Sequence, residues 1–268
     1  MLPVLTLATA LTPTASSAAP VALVTGATGR TGSLLFQKLK ADPAFGEVRA
    51  LVISIERAKS VLNCSKCDPS EGIFVGNVTD PATLVAATAG VSTVAICVGA
   101  SPSVSSALQK AIEWTGVQNQ VAALASQTSV ASKHVLLVSS MGTTSPNPSP
   151  GEGGSILFWK EQAESFIMSS GVPFTIVKPC GLTSTAGGKH QLLVGHDDSL
   201  LHTMPPIVTR ADVAAVMAYA ATHHATTLRF DLCSKVLGPP TTDLGALLDS
   251  ARYPWNRKEE ERRVVEGA

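Results

Sequence analysis

The sequence predicts a single doubly wound α/β domain, a mostly parallel sheet between two helical layers. Three observations point there. Short β-branched runs alternate with helical stretches along the whole chain. Those runs are almost continuously apolar, as strands covered on both faces must be. The chain has 268 residues, 45% of them hydrophobic and only 15% charged. That is enough to bury one large core, and it excludes a disordered polymer.

The elements follow in order. Val21–Thr25 is an apolar strand running into a glycine turn, and Thr31–Lys40 is the helix after it. Val48–Ile53 is the second strand, with a helix at Glu56–Leu62. Ile73–Gly76 is a short third strand. Asp80-Pro81 then starts a helix, Pro81–Ala87, with an N-cap and proline at the first helical position. Thr93–Val98 is the fourth strand, and Ser105–Ala131 reads as a helix with a break. His134–Ser139 is the fifth strand; Thr143–Gly154, dense in Pro, Ser and Gly, is a loop on the ligand side of such sheets. Helix Leu157–Ser169, strand Phe174–Lys178, helix Ala211–Ala221 and strand Arg229–Leu232 complete the pattern. Residues 1–19 form a leader, 20–250 the domain, and 251–268 a charged tail with a solvated helical run.

Composition narrows the function. Basic and acidic residues number 20 each, so no net field or basic patch favours nucleic acid. The apolar part of residues 1–20 is shorter than the ~20 residues of a membrane span. The segment lacks the basic start of a secretory signal and the arginine of a transit peptide. It reads as a weak or truncated targeting sequence, or as a disordered leader. The five cysteines are odd in number and scattered, which argues against a disulfide scaffold and for a reducing compartment. Cys64 and Cys67 offer two zinc ligands where a structural site needs four, so they read as a surface turn or a thiol switch. The histidines show no metal-ligand spacing, and no metal is expected. His223-His224 reads as a helix end and Asp197-Asp198 as a turn, while Arg210 and Asp212 read as capping and orienting the helix at Ala211.

The strongest chemical signal is Val21-Ala-Leu-Val-Thr-Gly-Ala-Thr-Gly-Arg-Thr-Gly32. A strand runs directly into Gly26-x-x-Gly29-x-x-Gly32, and a helix follows. One glycine permits the tight turn, one lets backbone approach a pyrophosphate, and one lets helix and sheet pack closely. The helix start then offers free N–H groups and a partial positive charge. This is a dinucleotide-binding Rossmann turn. Sites for NAD(H) usually carry an acidic residue at the tip of the second strand, about 20 residues on. Here Ser54 follows Ile53 at that tip, and Glu56 comes only later. Arg30 lies in the turn, and Arg57 and Lys59 follow the strand; guanidinium matches a 2′-phosphate well. NADP(H) is therefore expected rather than NAD(H).

Further motifs occur in order along residues 20–250: GATGRTG at Gly26–Gly32, GNVTD at Gly76–Asp80 and WTGVQNQ at Trp114–Gln120. VLLVSSMGTT follows at Val135–Thr144, ILFWKEQAE at Ile156–Glu164 and TIVKPCGL at Thr175–Leu182. LLVGHDD at Leu192–Asp198 and TRADVA at Thr209–Ala214 come last. With these motifs the chain resembles the atypical short-chain dehydrogenase/reductases of the NmrA-like kind. Within them it is similar to small plant and algal NADP-binding Rossmann proteins of unassigned substrate.

The glycine turn, its neighbouring charges and the resemblance together imply a site. Gly26, Thr28, Gly29, Arg30, Thr31 and Gly32 would cradle the cofactor, with Ser54 and Arg57 at its adenosine end. Asn77 and Val78 would lie beside the adenine, and Val98, Gly99 and Ala100 would touch the ribose. Ser139 and Ser140 would end the fifth strand near the nicotinamide, Lys160 would reach its ribose, and Pro179, Cys180, Gly181 and Leu182 would flank it. Ser140 and Lys160 are the catalytic candidates. The departures matter as much. Catalytic members place a tyrosine four residues before the lysine as general acid, and Ile156 stands there. Many relatives carry arginine just after the second strand, and here it is Ile53, which moves the 2′-phosphate argument onto Arg30. Cys180 occupies a position that is often glycine.

Two functions follow: an NADPH-dependent oxidoreductase of unknown small-molecule substrate, or a non-catalytic NADP(H) sensor serving a regulatory protein partner. The compartment expected is the cytoplasm, or the plastid stroma if residues 1–20 belong to a transit peptide, and not the secretory route.

Overall fold

The computed structural model describes residues 19–127, 129–144 and 154–253. Residues 1–18, most of the Pro/Ser/Gly loop and the charged run of the tail lie outside the described residues, so the readings of leader, loop and tail are not addressed.

Eight strands form one sheet. They are β1 (Val21–Thr25), β2 (Glu47–Val52), β3 (Ile73–Val75), β4 (Thr93–Ile96), β5 (His134–Val138) and β6 (Phe174–Pro179), then β8 (Gln191–Gly195) and β10 (Leu228–Lys235). Their order is β3-β2-β1-β4-β5-β6-β10-β8. Every pairing is parallel except β10 with β8. The order reverses between β1 and β4, which makes the crevice beyond their C-terminal ends the expected ligand site. A small parallel pair, β7 (Gly181–Thr183) and β9 (Ile207–Thr209), stands apart from the sheet.

Helices cover both faces. α1 (Gly32–Lys40) and α7 (Arg210–Thr222) pack together over one cluster with Ala22 and Val24 of β1. The other face holds Leu23, Leu124 of α5 (Gly116–Ala125) and Ile167 of α6 (Gly154–Ser169). Alternation along β1 thus feeds two cores, which is why the strand is apolar throughout. Caps set the helix starts. Ser54 accepts from the Arg57 N–H to begin α2 (Ile55–Leu62). Thr209 accepts from the Asp212 N–H and donates to its carboxylate to begin α7. His223 ends α7, and Asp197 and Asp198 form a left-handed turn.

Several expectations are corrected. The segment at Pro81 is a 3₁₀ turn leading into a short helix, α3 (Val85–Thr88). The long helix breaks in a particular way: α4 (Ser106–Lys110) passes through one π turn, Ala111–Thr115, into α5, which ends at Ala125. The strands β7, β8 and β9 and the terminal helix α8 (Leu244–Ser250) are additions, and β10 runs on to Lys235. The cysteines also differ from expectation. Cys64 bonds to Cys67, and Cys180 bonds to Cys233, leaving Cys97 free. The reason is topological. β6 and β10 are neighbours with Pro179 opposite Leu232, so the next residue of each strand meets across the pair. Among the described residues, no helix is long and apolar enough to cross a membrane.

Candidate functional site

The glycine turn behaves as its spacing requires. Gly26 has φ +67, and a Cβ there would lie 2.8 Å from the Cys97 carbonyl oxygen. A Cβ on Gly32 would collide with the Gly26 carbonyl oxygen. The turn is closed by the Gly29 N–H donating to Gly26 O at 2.8 Å. Side chains at Gly26 and Gly32 would thus force the strand end and helix start apart.

Two cavities flank this turn. The smaller, about 380 Å³, is lined by Gly26, Thr28, Gly29, Ile53, Ser54, Arg57, Gly76, Val78, Val98 and Gly99, among others. The larger, about 740 Å³, is lined by Gly29, Arg30, Thr31, Val98, Gly99, Ser139, Ser140, Lys160 and Pro179–Leu182, with Ile156 and Arg210. Gly29, Cys97, Val98 and Gly99 border both cavities. The pair therefore makes one extended crevice across the reversal point of the sheet, its waist at the glycine turn. An elongated molecule with a diphosphate at its middle fits that shape.

Most of the predicted residues meet here. Asn77 is the exception on the adenosine side: its backbone N–H and side-chain oxygen are used within its own turn, by Thr83 and Thr79. Gly32 lines neither cavity and serves the packing of helix on strand. The two arginines are separated. Arg57 lines the smaller cavity, its Nε 3.3 Å from Thr28 O, whereas Arg30 lines the larger one. The two arginines therefore stand on opposite sides of the glycine turn. The turn points residue 30 toward the larger cavity, while the second helix brings Arg57 back over the smaller one.

Ser139 and Ser140 divide. Ser139 Oγ donates to Glu164 in a buried network, which Thr143 Oγ1 and Arg229 Nε (2.8 Å) also join. Beside it Lys178, fully buried, holds Asp198 at 2.7 Å and Thr144 Oγ1 at 2.8 Å. These contacts brace the segment after β5. Ser140 is left on the cavity, its Oγ donating to Met141 O at 2.8 Å.

Lys160 has a partner that sequence reasoning missed. Its Nζ lies 2.8 Å from Glu113 Oε2, and Glu113 is only 3% exposed. The other carboxylate oxygen accepts from the Ala100 N–H at 2.6 Å. Glu113 belongs to the π turn, and such turns often redirect a side chain into a site. The only signal in the sequence was the expected helix break. Cys97 lines the waist, and burial pushes its thiol up to about 12 against the pull of Lys160, which disfavours the thiolate. Ile156 lines the larger cavity where the family's tyrosine would stand, and neither Tyr219 nor Tyr253 does.

Cys64, Cys67 and Glu71 cluster together, Cys67 buried and the other two half-buried. The Glu71 carboxylate there accepts from the N–H groups of Ser65, Lys66 and Cys67, which orders the loop.

Known proteins agree with this geometry. The family described as NAD(P)H-binding matches residues 26–224. An uncharacterised chloroplastic protein of Arabidopsis thaliana is 34% identical over 247 residues, covering 84% of this chain and 73% of that protein. Sanguinarine reductase of Eschscholzia californica is 32% identical over 272 residues, covering 87% and 96%. Among solved structures, a putative NAD-dependent epimerase/dehydratase from Bacillus halodurans superposes with a TM-score of 0.69 at 21% identity, covering 86% of this chain and 99% of that one. An anaerobillin reductase from Escherichia coli O157:H7 gives 0.60 at 21% identity, covering 82% and 99%. The glycine turn, the two joined cavities and these matches together make the chain a member of the NAD(P)H-binding family, a Rossmann protein whose cofactor is a nicotinamide dinucleotide.

Proposed function

We propose that the protein is an NADPH-dependent reductase. The observation that carries this reading is Lys160 Nζ, presented to the larger cavity by a buried carboxylate. A cavity of about 740 Å³ leaves room for a substrate beside a nicotinamide. The nicotinamide, when bound, supplies the hydride. The chain does the rest. The Gly26–Gly32 turn and the start of α1 receive the diphosphate. Gly76 and Val78 take the adenine, and Ser54 and Arg57 take the 2′-phosphate. Pro179–Leu182 cover one side of the nicotinamide. Lys160 orients the ribose and holds the proton that must accompany the hydride, with Ser140 lining the same cavity.

The names of two similar proteins, both reductases, support the reading. The plastid is the compartment we propose, on the chloroplastic name of the Arabidopsis relative; a fluorescent fusion of the full chain tests it. Ile156 favours a second reading, a sensor that binds the cofactor without turnover, because it cannot donate a proton. Calorimetry with NADP⁺, NADPH, NAD⁺ and NADH, paired with NADPH oxidation against carbonyls, quinones and enones, separates the two. Turnover with similar affinity for both NADP forms supports the reductase. Unequal affinity without turnover supports the sensor.

A further inference from the structure

The larger cavity carries an excess of positive charge that the cofactor site does not explain. Three cationic side chains line it, Arg30, Lys160 and Arg210, and none of its lining residues is acidic. Lys160 is neutralised by Glu113. Arg30 and Arg210 make no ion pair with any described residue.

Arg210 is the more telling of the two. It is 8% exposed, yet its guanidinium is held only through Nη1, which donates to Leu182 O at 3.0 Å and Ser184 Oγ at 3.1 Å. Nε and Nη2 have no partner among the described residues. Burial and the nearby charge of Arg30 both lower its pKa, so a second cation is close by. A buried, uncompensated charge is costly, and proteins keep one where a ligand supplies the counter-charge. Both arginines also line a side cavity of about 360 Å³, with Ser33, Ser184 and Thr185 as neutral hydrogen-bonding groups and no acidic residue. The arginine pair therefore stands where the larger cavity meets the side cavity.

The diphosphate does not account for this. The glycine turn and the start of α1 already serve it, at the waist between the two cavities. Arg210 lies on another wall, at the first position of α7 beside the small β7–β9 sheet.

We infer that Arg210, assisted by Arg30, is the anchor for a carboxylate on the substrate, so that the protein acts on acidic organic molecules. A planar guanidinium with two free donors matches a carboxylate in a bidentate pair. The inference rests on the reductase reading for the word substrate, but the site itself is testable without turnover.

The test is calorimetric titration of NADP⁺-loaded protein with cinnamate and with cinnamamide, a matched acid and amide. Cinnamate should bind at least about ten-fold more tightly, the scale of a hydrogen bond to a charged group. Arg210→Gln should bring the two ligands within about two-fold of each other while NADP⁺ affinity is retained, which also shows that the variant folds. Arg210→Lys should keep part of the preference as a point charge, and Arg30→Gln should weaken it less than Arg210→Gln does. Equal affinity of the unmodified protein for acid and amide overturns the assignment, as does no binding of the acid. So does an Arg210→Gln variant that loses NADP⁺ affinity in step with the acid, which would put Arg210 on the cofactor's phosphates. Repeating the titration without cofactor separates the two readings. Failure to bind NADP⁺ sinks the reductase, whereas a persisting preference for the acid leaves the anion site standing.

Discussion

Lys160 Nζ sits 2.8 Å from the carboxylate of Glu113, on a neighbouring helical segment, at the wall of the larger cavity. The same carboxylate accepts from the Ala100 N–H, so one buried acid fixes both the lysine and the segment after β4. A charged pair in a low-dielectric wall is rigid when both members are satisfied and costly when one is removed.

Glu113→Gln preserves shape and removes the charge. It should lower the unfolding free energy by about 2–4 kcal/mol, and Lys160→Met should do the same, because each strands a buried partner. The double variant should lose much less than the sum. Urea unfolding of the four proteins gives the coupling, and strictly additive losses would show that the pair is not energetically joined. In a turnover assay both single variants should fall by at least about ten-fold, with Glu113→Asp recovering part.

Arg57 lines the cavity of the proposed 2′-phosphate position, and the Glu56 carboxylate accepts from Ser54 Oγ on the same wall. Arg57→Ala should weaken NADP⁺ binding by about ten-fold and leave NAD⁺ nearly unchanged. Glu56→Gln should strengthen NADP⁺ relative to NAD⁺, since it removes a carboxylate near the phosphate. Arg30→Ala should not discriminate between the two cofactors. Fluorescence or calorimetric titration decides; an Arg57→Ala effect equal for both nucleotides would remove the 2′-phosphate assignment.

His134 gives a pH dependence. It is buried on β5, hydrogen-bonded to Thr175 Oγ1 at 2.9 Å. Burial first, and then the neighbouring His224, push its pKa down to about 4. Its unfolded value is ~6.5. Between those limits the unfolded chain binds more protons, so stability rises with pH. The contribution is complete above pH ~6.5 and is lost as pH falls toward 4, amounting to about 3 kcal/mol. Unfolding curves across that range should show the slope, and His134→Gln should flatten it. An unchanged slope in the variant would assign the effect to other groups.

The sulfur pairing is open to direct chemistry. Alkylation of the unfolded, unreduced chain should label Cys97 alone, and prior reduction should expose all five cysteines. Cys180 and Cys233 are separated by 53 residues. Closing such a loop constrains the unfolded chain by about 4 kcal/mol, so reduction should lower the melting temperature. Cys180→Ser should remove most of that sensitivity to reductant. A melting temperature indifferent to reductant would mean that this bond contributes nothing to stability.

Much of the fold was legible because its causes are local. The strand Val21–Thr25 has its predicted bounds, and β2 to β6 lie within one or two residues of theirs. Each is a run of apolar residues stopped by a turn. Asp80 announces a helical start through its own side chain, whereas the caps at Ser54 and Thr209 emerged only in the structure. The strands β7, β8 and β9 were not legible. β7 and β9 have three residues each, too short for a period, and β8 is a strand by virtue of its antiparallel partner β10.

The candidate site divides along the same line. The sequence by itself determined the glycine turn, and with it the dinucleotide, because the need for bare Cα atoms at Gly26 and Gly32 is a property of a few consecutive residues. It also determined the missing tyrosine at Ile156, a spacing along one helix. Only the tertiary structure decided which arginine faces which cavity, that Glu113 holds Lys160, that Ser139 turns to Glu164, and that Cys180 meets Cys233. Those relationships join residues far apart in the chain, and a side chain's partner is set by the packing of whole elements, which no local pattern encodes.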